Sequence, residues 1–227
     1  MKKYLVIGNP IEHSLSPKIH NYWIKKNNIK AEKEKKKIKE EDIKNIIEQV
    51  KKGDISGINV TVPFKKKVIP FLEELTPEAK ESQSVNTIYK DNGKIIGHNT
   101  DIAGFELAIR HLKYDAKDKK IFILGAGGVV SSIILALKKM GVDKIFLSNR
   151  TKKKAEKIKN IFSNLKIVDW GEIPEFNMII NATSLGLNKE DEIKLDYAGL
   201  GPNKLFYDVI YNPKKTKFLS KAKQFGN

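Results

Sequence analysis

A glycine turn, Gly125-Ala126-Gly127-Gly128, stands between an apolar run, Lys120–Leu124, and a helix-patterned stretch, Val129–Lys139. Glycines at such a turn let the backbone approach a pyrophosphate, while the helix amino terminus offers free N–H groups and the positive end of its dipole. An ordinary strand-to-helix turn is the competing reading. The order of strand, glycine turn, helix and strand favours a dinucleotide loop. Val130 stands where a dinucleotide fingerprint has Gly or Ala, which implies looser packing of helix on strand. The next strand, Lys144–Ser148, selects the nucleotide. An NAD site ends that strand with an acidic residue on the ribose 2′-hydroxyl, but this chain has Ser148-Asn149-Arg150-Thr151 and then Lys152, Lys153 and Lys154. Arg150 and Lys154 attract a 2′-phosphate that a carboxylate would repel, so the expected cofactor is NADP; Lys152 and Lys153 read as solvated.

A second polar constellation lies in the other half of the chain. It comprises Ser14 and Ser16 in Ser14-Leu15-Ser16-Pro17, Asn59, Thr61 and Lys65 in one stretch, Asn86, and Asn99-Thr100-Asp101. Hydroxyls, amides, one ammonium and one carboxylate after successive strands suit a small, hydroxyl-rich, anionic ligand better than a macromolecule. Structural alternatives stand beside this. Ser16 before Pro17 is a good helix N-cap, Asp101 is placed to cap a helix beginning at Ile102, and Lys65 opens a lysine run. His13, His20, His98 and His111 have no metal-ligand spacing, and no metal site is expected.

The elements that must position these residues alternate. Strand patterns cover Lys3–Ile7, Ile58–Val62, Asn86–Tyr89, Lys94–Gly97, Lys120–Leu124, Lys144–Ser148, Met178–Asn181 and Leu205–Ile210. Helix patterns cover Pro17–Asn27, Glu40–Lys52, Pro63–Leu75, Ile102–Lys113, Val129–Lys139, Lys152–Ile161 and Thr216–Gln224. The alternation predicts an α/β fold with parallel sheets and helices on both faces. A boundary near Asp101 predicts two domains, residues 1–101 and 102–227, with ligands at the carboxyl ends of strands in a cleft between them.

Composition narrows the function classes. Of 227 residues, 40% are hydrophobic, 31% are charged and none is cysteine, so disulfides, thiol nucleophiles and thiolate metal sites are excluded. No apolar run reaches the ~18 residues of a membrane span, and the apolar stretch after Met1-Lys2-Lys3 is too short for a signal peptide, so a cytoplasmic protein is expected. The net charge of +16 advertises a polyanion partner, but only Arg110 and Arg150 are arginine. Lysines are scattered, and the densest stretch, Lys30 to Lys44, interleaves acidic residues, reading as a solvated helix face. No specific nucleic-acid partner is expected.

Eight stretches together resemble the shikimate dehydrogenase family: IGNPIEHSLSPKIHN, GINVTVPFK, SVNTIY, HNTDIAGF, LGAGG, LSNRT, IINATSLG and YDVIYNP. The resemblance implies an N-terminal α/β substrate-binding domain, a Rossmann-type NADP-binding domain, and NADPH-dependent reduction of 3-dehydroshikimate to shikimate in aromatic amino-acid biosynthesis. It implies Lys65 and Asp101 as the catalytic pair. Ser14 and Ser16 would hold the substrate carboxylate, with Asn59, Thr61, Asn86 and Tyr211 on its hydroxyls or ring. The cofactor set would be Gly125, Ala126, Gly127, Gly128, Val129, Asn149, Arg150, Thr151, Lys154, Thr183, Val209 and Gly226. A monomer or homodimer is expected. Family members continue past the glycine matching Gly226 into a C-terminal helix that supplies a glutamine to the substrate. Its absence here implies weakened substrate binding more than weakened NADP binding, and an uncovered apolar patch on the first domain. A catalytically weakened NADP-binding relative and a quinate-using paralogue are the alternative readings, with a basic nucleic-acid binder a distant third.

Overall fold

Leu5, Val6 and Ile7 are buried in β1 (Lys2–Gly8), an apolar strand one place in from the edge of a six-stranded sheet. The computed structural model describes residues 1–227, which divide into two units, Met1–Gly104 and Phe105–Asn227. The first unit contains β1, α1 (Ser16–Lys26), β2 (Ala31–Lys37), α2 (Ile43–Lys52), β3 (Gly57–Val60), β4 (Glu74–Leu75), α3 (Pro77–Ser82), β5 (Thr87–Asp91) and β6 (Lys94–His98). Helix α4 (Asp101–His111) begins in it. The sheet order is β2-β1-β3-β5-β6-β4. Residues Ile43, Ile46, Ile47 and Val50 recur at helical spacing and put one face of α2 into a core with Leu5, Ile7, Ile58 and Val60.

Three expectations fail in this unit. The sheet is mixed rather than parallel: β5 runs antiparallel to β3 and β6, because Asn92 (φ 46°) and Gly93 (φ 82°) close a tight β5–β6 hairpin. The stretch Pro63–Leu75 is not a helix. One turn after Pro63, a 3-10 turn at Ile69–Phe71 and β4 replace it; Pro70 has no N–H to continue a helix. Lys30 to Lys44 is not one helix face either, since Ala31–Lys37 forms β2, the sheet's edge strand, and α2 takes up only Ile43 and Lys44.

The second unit contains β7 (Lys120–Leu124), α5 (Val130–Lys139), β8 (Lys144–Ser148), α6 (Lys152–Lys159), β9 (Leu165–Val168), β10 (Met178–Asn181), β11 (Leu205–Asp208) and α7 (Lys217–Gln224). All its strands are parallel, in the order β11-β10-β7-β8-β9. This is a Rossmann-type α/β arrangement, whose order reverses beside β7 and so places a ligand at that strand's carboxyl end. Phe122, Phe176, Phe206 and Phe218 pack with Tyr197 in its core. No helix is long and apolar enough to cross a membrane.

Candidate active site

β1, β3 and β6 end, and β5 begins, at one edge of the first sheet, because β5 is antiparallel to its neighbours. Lys65 and Asp101 meet there, with Nζ 2.7 Å from Oδ2 and side chains only 12% and 21% exposed. Each is held by its own segment. The Lys65 carbonyl accepts from Val85 N at 2.8 Å, and Phe64 and Val68 on either side are buried. Asp101 opens α4, where its N–H donates to Asn99 Oδ1 at 2.9 Å. Asn99 thus receives the N–H at the helix start, and the Asp101 carboxylate turns to Lys65 instead of capping. Asn86, buried at the amino end of β5, donates from Nδ2 to Asp101 Oδ1 at 2.9 Å and to Thr100 Oγ1 at 2.8 Å. Its Oδ1 accepts from Thr100 N and Thr87 Oγ1, which fixes the amide's orientation.

Thr61 and Asn59 lie on the same edge. A Cβ at Gly8 would come within 2.5 Å of the Thr61 methyl, so β1 can end beside Thr61 only with glycine there. Asn59 donates to the Asn86 carbonyl and Thr87 Oγ1. Helix α1 begins at Ser16 and not at Pro17. Ser14 Oγ accepts the Ser16 N–H, so Ser14 serves the helix start in place of the expected Ser16 cap. The Ser16 hydroxyl pairs with His20 Nδ1. Burial holds the His20 imidazole below its ordinary pKa, with nearby Lys33 adding to the effect. Lys33 itself is a site-edge residue the sequence reading missed: it is 4% exposed and bonds Asn59 Oδ1. The only signal was one lysine at an inward position of a charged strand.

In the second unit, Gly125 has φ 111°, and a Cβ there would lie 2.6 Å from the Ala182 carbonyl oxygen. Gly127 has open space, with its nearest neighbour at 3.9 Å. The turn therefore packs tightly on β10 at its first glycine and is uncovered at its third residue, as close approach of a pyrophosphate requires. Ala126, Gly128 and Val129 complete the loop into α5, where Val130 is fully buried. At the end of β8, Asn149 donates to the Thr151 carbonyl at 2.8 Å. Arg150 and Lys154 are exposed, and neither is among the chain's ion pairs, whereas Lys152 pairs with Asp169 at 2.6 Å rather than being merely solvated. Thr183 and Val209 follow β10 and β11 and are tied to Asn181 by Thr183 Oγ1 at 2.7 Å and Val209 N at 3.0 Å. Asn181 also bonds Asp208, whose carboxyl is pushed above the usual carboxylate range by burial. Tyr211, 58% exposed, follows β11. Gly226 is not brought to this loop. Its carbonyl accepts from Asn203 N at the amino end of β11, the opposite edge from Gly125.

Two family models match the chain: "Shikimate dehydrogenase substrate binding domain" over residues 6–88 and "Shikimate / quinate 5-dehydrogenase" over residues 106–188. The shikimate dehydrogenase (NADP(+)) of Pelagibacter ubique is 57% identical over 99% of this chain and 85% of its own length. The crystal structure of shikimate dehydrogenase from Aquifex aeolicus matches with a TM-score of 0.92 and 41% identity, over 100% of this chain and 84% of that one. The Thermus thermophilus enzyme, solved in complex with NADP(H) and shikimate, matches with a TM-score of 0.88 and 29% identity, over 100% and 85%.

Proposed function

Given that the chain belongs to the shikimate dehydrogenase family, we propose that it interconverts shikimate and 3-dehydroshikimate with NADP, using Lys65 and Asp101 as its proton-handling pair. The observation that carries this is the contact between Lys65 and Asp101 at an edge lined by Asn59, Thr61 and Asn86. In this reading residues 1–101 hold the substrate and residues 102–227 the nucleotide.

NADPH, when bound, supplies the hydride, and the glycine turn, the α5 amino terminus and the unpaired Arg150 and Lys154 fit its phosphates. The remaining chemistry belongs to the chain. As the ketone carbon gains hydride, negative charge develops on its oxygen, and Lys65 Nζ both stabilises that charge and delivers the proton that completes the hydroxyl. Asp101 holds the ammonium in place and returns a proton toward it from solvent, while Asn86 fixes the carboxylate's other oxygen. Ser14 and Ser16 take the substrate carboxylate.

The test is to supply shikimate with NADP⁺ and then NAD⁺ and follow reduced nicotinamide. Turnover preferring NADP⁺ is expected, and turnover preferring NAD⁺ would remove Arg150 from its role. Quinate offered in the same assay reads the ring preference.

A further inference from the structure

Lys33 is the inward-facing lysine of an otherwise exposed edge strand. It is 4% exposed, while Glu32, Glu34, Lys35, Lys36 and Lys37 around it are open to solvent. Its backbone is clamped from α1, where Asn21 donates to the Lys33 carbonyl at 2.9 Å and accepts the Lys33 N–H at 2.8 Å. Lys33 is level with Tyr4 on β1 and Gly57 on β3, so its side chain crosses the face beneath α1 and reaches Asn59, two residues further along β3. No carboxylate meets it. A buried ammonium without a counter-ion is costly, and the molecule tolerates it at the edge where an anionic, polyhydroxylated ring is to bind.

We propose that Lys33 is a positioning residue for the substrate, its ammonium holding the Asn59 carboxamide so that Oδ1 presents an acceptor to a substrate hydroxyl. The inference rests on the shikimate dehydrogenase reading. Both Asn59 N–H groups are committed, to the Asn86 carbonyl and to Thr87 Oγ1, so only Oδ1 has capacity left. An ammonium has no lone pair. A flipped amide would set donor against donor at Lys33 and acceptor against acceptor at the Asn86 carbonyl. The protonated lysine therefore selects one orientation, and with it a ring bearing a hydroxyl at that point.

Burial brings the Lys33 amine down to about 8, so the selection weakens within an accessible range. The titratable groups around it are few: His20 from α1, Tyr4 beside it on β1, and Lys35 on β2, whose ammonium is taken by the Glu12 carbonyl at 2.9 Å. β3 offers only the Asn59 amide.

The experiment is steady-state kinetics with shikimate and NADP⁺ from pH 6.5 to 9.5 on the full chain and on Lys33→Met and Lys33→Arg. Losing a charge-assisted hydrogen bond predicts a KM for shikimate raised roughly tenfold to a hundredfold in Lys33→Met at pH 7, with kcat and the KM for NADP⁺ moved far less. Wild-type KM for shikimate should climb above pH 8, the climb should vanish in Lys33→Met, and Lys33→Arg should restore low KM and carry it to higher pH. Equal KM values in wild type and Lys33→Met at both ends of the range would overturn the inference alone. A fall in kcat without a change in KM would do the same. A wild type that turns over shikimate at no pH would overturn the functional reading and this inference with it. Were Lys33→Met not to fold, a flat wild-type KM profile across pH 8 would suffice to reject the role.

Discussion

Lys65 Nζ sits 2.7 Å from one oxygen of Asp101 while Asn86 holds the other oxygen at 2.9 Å, so the carboxylate is fixed on both sides. A proton-transfer group needs such placement more than it needs exposure. Lys65→Met is expected to lower kcat by about 10²- to 10⁴-fold with the KM for NADP⁺ little changed. Asp101→Asn keeps a bond to Asn86 but loses the charge. Because the two residues act as one unit, the double variant should cost about as much as Lys65→Met alone. Additive losses in a double-mutant cycle would show that they work separately.

Arg150 and Lys154 stand unpaired after β8, unlike Lys152, which Asp169 already occupies. Arg150→Ala should raise the KM for NADP⁺ roughly tenfold to a hundredfold, the loss of one or two charge-assisted bonds, and leave the KM for NAD⁺ nearly as it was. Equal losses with both nucleotides would mean that Arg150 does not read the 2′-phosphate.

The two glycines of the nucleotide turn separate stability from binding. Gly125→Ala places a methyl group 2.6 Å from the Ala182 carbonyl oxygen at φ 111°. Strained backbone and overpacking together cost at least about 2 kcal/mol, lowering Tm by roughly 4–8 °C. Gly127→Ala meets nothing nearer than 3.9 Å, so Tm should hold while NADP⁺ affinity falls at least about tenfold, its methyl group occupying the phosphate's approach. Thermal unfolding and equilibrium titration of both variants check the contrast.

Asp208 is half-buried and bonded to Asn181, Ile210 N and Thr216, and desolvation raises its pKa despite those bonds. A raised folded-state pKa means that this group's contribution to stability is complete below the ordinary carboxylate value of 3.8 and is lost as pH rises through the folded-state value. Asp208→Asn has no such titration. The stability of wild type relative to Asp208→Asn should therefore decline as pH climbs from 3 through the carboxylate range. Denaturant unfolding of both proteins at several pH values measures the difference, and a rising difference would contradict the sign.

Periodicity made most of the second unit legible. Its strands are short apolar runs, and the glycine turn stands in the expected order with β7, α5 and β8. The first unit resisted for a physical reason in each case. β2 has no apolar alternation because one face is solvent and the other holds Lys33, so its charges read as a helix surface. Pro63–Leu75 carries apolar residues at helical spacing, yet Phe64 and Val68 reach the core from a single turn, and Pro70 stops anything longer. Residue types singled out Lys65, Asp101, Asn59 and Asn86, which the structure brings to one sheet edge. Their mutual bonding required knowing that β5 reverses, which only the Asn92-Gly93 hairpin signals. Gly226 shows the opposite limit: a glycine matched by resemblance lies at the far edge of its sheet.

The placement of β2 has a consequence for how the chain behaves in crowded solution. Beyond Lys33, whose N–H and C=O Asn21 takes, the strand's outer backbone groups have no strand partner and form a short template onto which another extended segment can hydrogen-bond. Five of the six residues Glu32 to Lys37 are exposed and charged, so an incoming strand must bring carboxylates and ammonium groups out of water beside them. The same strand that conceals one lysine for the site thus wears the others as a guard against fibrous self-association, a guard that added salt weakens.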